Sequence, residues 1–268
     1  MNLKFIILGC GSAVGVPRLD GDFGSCNPKN TKNIRSRCSA IVQSDQFNLL
    51  IDSSPDIKNQ FLTNKIKSLD EEKLLSDWGI QKNKKLILLP GRLASWKGQE
   101  MCIESINLIN KKLDPKTFNI VILGSDQGRK TYKQKLLRLV EQYRLTNQVK
   151  FIDNCKNMPL AYKISDLVIS SSIEPEAFGR VAVEAQSMGR PILASTIGGS
   201  IETIVNDKTG FFFESGSSDS LSKKIIEILS LDERTLKSIG IEGRKNVIKK
   251  FNIEKMCFST YSEYKKLI

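Results

Sequence analysis

The chain has 268 residues, 40% of them apolar and 26% charged, which places it among globular proteins with one large domain or two modest ones. It contains no histidine, and this removes histidine-based acid–base catalysis and nearly every common catalytic zinc site. The net charge of +12 raises nucleic acid or anionic lipid as partners, but the lysines fall in pairs along helix faces without interleaved aromatics, so no nucleic acid is expected.

The first predicted element is a strand over residues 3–8. Its apolar run, Phe5 to Leu8, is too short for a signal peptide, and no stretch approaches the roughly 18–20 apolar residues of a membrane span. A cytoplasmic protein is expected, at most peripheral to the inner face of the membrane. The six cysteines (10, 26, 38, 102, 155 and 257) form no close pair, against both a zinc ribbon and a disulfide framework. The glycine-rich turn at 9–15 invites a dinucleotide-binding reading. However, the third glycine falls one place late, and Val16-Pro17-Arg18 stands where a helix should begin. Asp20-Gly21-Asp22 mimics a metal-binding Asp-x-Asp, but without an apolar strand before it a turn is expected.

Taken together, the glycine turn, Val16-Pro17-Arg18, the Arg37-Cys38-Ser39 strand entry, the Leu50-Ile51-Asp52 strand and Ser54-Pro55-Asp56 resemble the opening of the metallo-β-lactamase-fold hydrolases. The similarity is to the branch of phosphonate-pathway phosphodiesterases. That family would next supply a metal-binding histidine cluster, and this chain has none to offer, so a metal-dependent hydrolase is nearly excluded. Glutamate marks where the texture changes. All 15 glutamates lie at or after Glu71, while residues 1–70 hold six aspartates and no glutamate. The expected organisation is therefore a small β-rich fragment over 1–69 and a second domain over 70–268.

From residue 71 strands and helices alternate. A helix near 71–78 leads to a strand at 85–89, then come a helix from Gly98 to Leu113, a strand at 120–123 and a helix from Lys130 to Arg144. A strand at 149–152, a short helix near 157–164, a strand at 167–169, a helix at 180–188 and a strand at 192–194 follow. Gly198-Gly199 opens another helix, Gly210 to Phe213 is a short strand, and helices near 218–230, 232–250 and 253–267 finish the chain. This order predicts an α/β fold with a doubly wound parallel sheet.

Three loops that follow strands should gather on one edge of that sheet. The first carries Gly91, Arg92, Trp96 and Lys97-Gly98. Two bases at a helix start oppose the helix dipole, which points to an anionic ligand such as a diphosphate. The second is the turn from Gly124 to Gly128. The third holds Glu176 and Glu184, eight positions apart, with Phe178-Gly179 between them. A glycosidase-like acid and nucleophile is one use for two carboxylates, but their placement across a loop and a helix suits hydroxyl binding better. Glu184 is either a solvated helix residue or, given its apolar neighbours, a ligand-facing acid.

Pro90-Gly91-Arg92-Leu93, Trp96-Lys97-Gly98, Val121-Ile122-Leu123-Gly124, the Glu176-x7-Glu184 spacing with Ala177-Phe178-Gly179, and Gly198-Gly199 together resemble the donor-binding domain of family 4 glycosyltransferases, which have the two-domain GT-B architecture. The resemblance runs from about residue 71 to the end. It implies that Arg92, Lys97 and Glu176 are catalytic. Arg92 and Lys97 would bind the diphosphate of a nucleotide-sugar donor, and Glu176 would hold the sugar hydroxyls. It also implies donor contacts from Gly91, Gly124, Phe178, Gly179, Arg180 and Glu184, with Glu184 on the ribose and backbone amides near Arg180 on phosphate. Transfer with retention, no cofactor and no metal are implied as well. The acceptor stays open, a glycan or lipid-linked glycan among the options. In that family an N-terminal domain supplies the acceptor wall. Its place here is taken by the first 70 residues, so a non-catalytic nucleotide-sugar-binding module, or a fusion remnant without the acceptor half, stands beside the enzyme reading. The last helix, with Met256, Tyr261 and Tyr264, is similar to the segment that crosses back onto that domain. It is expected to expose apolar surface or to fold differently.

Overall fold

The structure, a computed structural model, describes residues 4–10, 16–18, 21–34, 36, 38–43, 48–51, 70–81 and 83–266. The chain divides into two compact units, 1–73 and 74–268. In the first, β1 (Lys4–Gly9), β2 (Ser39–Gln43) and β3 (Asn48–Ile51) form an antiparallel sheet in that order. Ile6 faces Ile41 across the first pair, and Ile41 faces Leu50 across the second. Side-chain alternation buries Leu8 and Ile41 and leaves Phe5 and Ile7 exposed. Asp22 accepts from the Gly24 amide at 2.7 Å, as a turn residue does. Asp20, residues 11–15, Arg37 and the stretch 52–69 with Asp52, Ser54, Pro55 and Asp56 lie outside the described residues.

The second unit is built on six parallel strands. In chain order its elements are α1 (Asp70–Asp77), which begins before the division, β4 (Lys85–Pro90), α2 (Gln99–Ile109), β5 (Phe118–Leu123), α3 (Lys130–Gln142) and β6 (Val149–Ile152). Then come α4 (Met158–Ile164), β7 (Leu167–Ser170), α5 (Arg180–Ser187), β8 (Ile192–Ser195), α6 (Ser200–Thr203) and β9 (Phe211–Phe213). Helices α7 (Ser218–Ser230), α8 (Glu233–Lys250) and α9 (Ile253–Lys265) complete it. The strand order is β6-β5-β4-β7-β8-β9, and every pairing is parallel.

Helices cover both faces, so the strands are apolar along their whole length rather than on alternate residues. Along β4, Ile87 and Leu89 enter one layer with Ile103 and Ile106 of α2, Leu136 of α3 and Ile225 of α7. Leu86 and Leu88 enter the other with Trp78, Ala161 and Tyr162 of α4, and Ala182 and Ala185 of α5. Side-chain caps start several helices: Asn157 accepts from the Leu160 amide at 3.1 Å, and Asp232 from Thr235 at 2.9 Å.

Two helices are shorter than the sequence pattern predicts. Gly98 has φ +70 and stands just outside α2, while beyond Ile109 the chain turns back, with the amides of Lys112 and Leu113 both donating to the Ile109 carbonyl. Helix α3 ends at Gln142 because Arg144 adopts φ +56, a left-handed conformation. Helix α9 buries none of its residues, and Ile253, Met256, Phe258, Tyr261 and Tyr264 are all exposed. Among the described residues no helix is long and apolar enough to cross a membrane.

Candidate active site

The sheet order reverses at β4. Strand β5 lies on one side of it and β7, reached through β6 and α4, on the other. Loops leaving the carboxyl ends of β4 and β7 therefore diverge, and the crevice between them is where open α/β sheets bind ligands. Here that crevice is a cleft of about 630 Å³, within the range of small-molecule sites. It is lined by Pro90-Gly91-Arg92 and Lys97 after β4, Leu123-Gly124 after β5, Asp153-Asn154-Cys155 after β6, and Glu176 to Val181 with Glu184 after β7. Met158 and Tyr162 of α4 complete the wall.

On the β4–β7 side the loops are fastened backbone to backbone. The Ile173 amide donates to the Trp96 carbonyl at 2.8 Å, and the Ser171 hydroxyl to the Lys97 carbonyl at 2.8 Å. Gly98 is required there twice over, by its positive φ and because a Cβ would stand 2.0 Å from the Ser171 carbonyl oxygen. This places the Lys97 ammonium 2.7 Å from Oε1 of Glu176, with the two side chains only 13% and 18% exposed. The Ser172 hydroxyl donates to the same oxygen. Ser172 is itself fixed, its carbonyl accepting from Ser195 at 2.7 Å. From the other side the Gly199 amide donates to the Glu176 carbonyl at 2.7 Å. Gly198 lies so close that a Cβ would stand 2.6 Å from the Glu176 backbone. Arg92 and Lys97 both lie over the Trp96 ring, at 5.2 and 4.4 Å from its centroid, so one indole orients two cations.

On the α4–α5 side Glu184 has two donors. Arg180 reaches its Oε1 at 2.9 Å, one helical turn earlier, and the Tyr162 hydroxyl reaches Oε2 at 2.7 Å. Tyr162 is 2% exposed. Burial above all, and then the bond to the Glu184 carboxylate, push its phenol above the ordinary tyrosine pKa, so it stays a protonated donor. Gly179, with φ +73, starts α5, and the helix N-terminus at Gly179, Arg180 and Val181 lines the cleft, where the helix dipole favours an anion.

All nine residues singled out from the sequence line this one cleft: Gly91, Arg92, Lys97, Gly124, Glu176, Phe178, Gly179, Arg180 and Glu184. The rest of the second loop does not. Asp126 accepts from the Gly128 amide at 2.9 Å in a turn outside the lining. Gly124 also proves to be a point of chain-to-chain approach, since a Cβ there would stand 2.1 Å from the Gly91 carbonyl oxygen. Sequence pattern does not single out Asp153, Asn154, Cys155, Met158 or Tyr162 of the lining, nor Ser172 beside it. Tyr162 reads as one more core aromatic in a short helix, Ser172 is one of three consecutive serines, and Cys155 is a lone thiol in a loop. Among the described residues no group of three Cys, Asp or Glu is placed to hold a metal ion.

Comparison with known proteins assigns this architecture. Residues 70–246 match the model of the family "Glycosyl transferases group 1". The chain belongs to that family. A crystal structure of a glycosyltransferase from Rickettsia africae is 31% identical with a TM-score of 0.70, covering 77% of this chain and 54% of that one. Anabaena HepE, crystallised with UDP and glucose, is 25% identical with a TM-score of 0.67, covering 75% of this chain and 53% of that one. An uncharacterised glycosyltransferase from Methanocaldococcus jannaschii is 30% identical over 189 residues, 70% of this chain and 46% of that protein. The chain spans about half the length of the curated relatives it matches. The six-stranded parallel sheet with flanking helices is thus the Rossmann-like sheet of GT-B glycosyltransferases.

Proposed function

We propose that the cleft binds a nucleotide sugar and that the glycosyltransferase domain supplies the donor side of a retaining sugar transfer. The observation that carries this reading is the convergence of Arg92, Lys97, Glu176 and Glu184 on one cleft at the point where the strand order reverses. In transfer the bond from the sugar's anomeric carbon to the diphosphate oxygen breaks, the acceptor oxygen bonds to that carbon, and the acceptor proton passes to the departing diphosphate oxygen. Negative charge grows on the leaving diphosphate. Arg92, Lys97 and the amides opening α5 stabilise it, an electrostatic contribution that is greatest where water is excluded. Glu176 accepts sugar hydroxyls and Glu184 accepts those of the ribose. Lys97 and Ser172 both bond Oε1 of Glu176, so Oε2 is available to a ligand. In this reading side chains and amides supply the stabilising charge, and no metal is invoked.

UDP is the first nucleotide to test, because the related Anabaena structure was solved with UDP and glucose. The acceptor is read as a glycan or lipid-linked glycan, reached from the cytoplasmic face. The antiparallel β1–β2–β3 sheet supports reading residues 1–69 as a metallo-β-lactamase-like fragment without its metal motif. Titration of the full chain with UDP, GDP and ADP should give saturable binding to at least one. Incubation with the matching nucleotide sugars should release the diphosphate. If none binds, the donor-cleft reading is wrong. Binding without release or transfer would leave a nucleotide-sugar-binding module rather than an enzyme.

A further inference from the structure

Glu184 stands on the second turn of an eight-residue helix, with 38% of its side chain exposed, and would by itself sample several rotamers. Arg180 cannot fix it, since its side chain is 82% exposed and such surface pairs hold little. Tyr162 can. Its ring is packed in the apolar layer with Trp78, Leu88 and Val168, and its hydroxyl has one partner, the Glu184 carboxylate at 2.7 Å. The phenol therefore approaches from a fixed direction and holds Oε2 of Glu184 in place. Both residues line the cleft, and each carboxylate oxygen keeps acceptor capacity beyond the bonds to Tyr162 and Arg180. A vicinal diol offers two hydroxyl donors to such a carboxylate, whereas a sugar lacking one hydroxyl leaves an acceptor unmet.

Resting on the nucleotide-sugar reading above, we propose that Tyr162 is a positioning residue that presets Glu184 for the ribose diol, so that the cleft selects ribonucleotides over 2′-deoxyribonucleotides. Selectivity arises from a hydrogen bond that the ligand never touches. A free carboxylate would lose rotamer freedom on binding, and one already held by a buried phenol does not.

Calorimetric titration of the full chain with UDP, GDP and ADP, each beside its 2′-deoxy counterpart, tests this. The parent should bind the preferred ribonucleotide about tenfold or more tighter than the deoxy form. Tyr162→Phe should cut that ratio by about three- to tenfold, weakening the deoxynucleotide less because only its 3′-hydroxyl meets Glu184. In a Glu184→Ala background, adding Tyr162→Phe should change nothing further, because the tyrosine acts through that carboxylate. Tyr162→Phe keeps the buried ring, and Glu184 keeps its contact with water. Tyr162→Leu repeats the measurement with a smaller side chain, and thermal melts verify both folds. An unchanged ratio in these variants, or equal weakening of ribo and deoxy forms, overturns the proposal while leaving the donor cleft intact. Failure of the parent to bind any diphosphate overturns the nucleotide-sugar reading itself.

Discussion

Glu176 and Glu184 each accept from one cation and one hydroxyl, but burial is distributed oppositely in the two arrangements. At Glu176 the cation is enclosed: Lys97 is 13% exposed, and it shares a single carboxylate oxygen with the buried Ser172. At Glu184 the cation is open to solvent, and the hydroxyl comes from a ring buried in the core. A charge with little access to water is costly to leave without its partner, whereas an exposed pair is nearly neutral in stability. The first arrangement therefore depends on its ammonium and the second on its phenol. Both present a carboxylate at a defined angle, reached from opposite walls of one cleft.

Substitutions can break this contrast in graded steps. The largest effect should come from Gly98→Ala, which places a Cβ against the Ser171 carbonyl at a backbone angle that side chains avoid. A loss of about 3 kcal/mol in urea denaturation is expected, together with loss of nucleotide binding. Lys97→Ala leaves Glu176 enclosed without its cation, and about 2 kcal/mol should be lost. Lys97→Ala combined with Glu176→Gln should recover part of that loss, which a double-mutant cycle measures. Ser172→Ala removes a neutral donor and should cost about 1 kcal/mol. Diphosphate release should slow while affinity for the free diphosphate holds. Arg180→Ala should be the mildest, within about 0.5 kcal/mol in stability. A larger loss there would show the two pairs to be equivalent after all.

The sequence carried most of the second unit because its strands are buried on both faces and read as unbroken apolar runs, such as Leu86 to Leu89 and Ile120 to Leu123. Gly189, with φ +67, ends α5 where the residue pattern also ended it. Seven of the nine cleft residues were legible because they sit in connections punctuated by glycine between those runs, and Arg180 and Glu184 follow on helix α5. What escaped was tertiary. Nothing local distinguishes Ser172 from Ser170 or Ser171, and only the sheet's geometry turns its hydroxyl toward Glu176. Tyr162 lies 22 residues before its partner, and its ring satisfies every pattern of an ordinary core residue. Helix ends were blurred for a related reason: the φ of +56 at Arg144 belongs to a backbone turn in which the Leu145 amide returns to the Val140 carbonyl at 2.8 Å, and arginine gives no warning of it.

The glycine contacts have a consequence for how this cleft can change over time. Gly98, Gly124 and Gly198 bring backbone against backbone on three of its loops, leaving no room there for even a methyl group. The stretch from Asp153 to Met158 forms the remaining wall and contains no glycine at all. Variation is therefore confined to one border of the pocket. A library randomised at Asn154, Cys155 and Met158 should return folded proteins with altered nucleotide preference, whereas one built at the glycine loops should return few folded proteins. If the cleft holds a nucleotide sugar as proposed, diversification of what it takes is channelled through that single border.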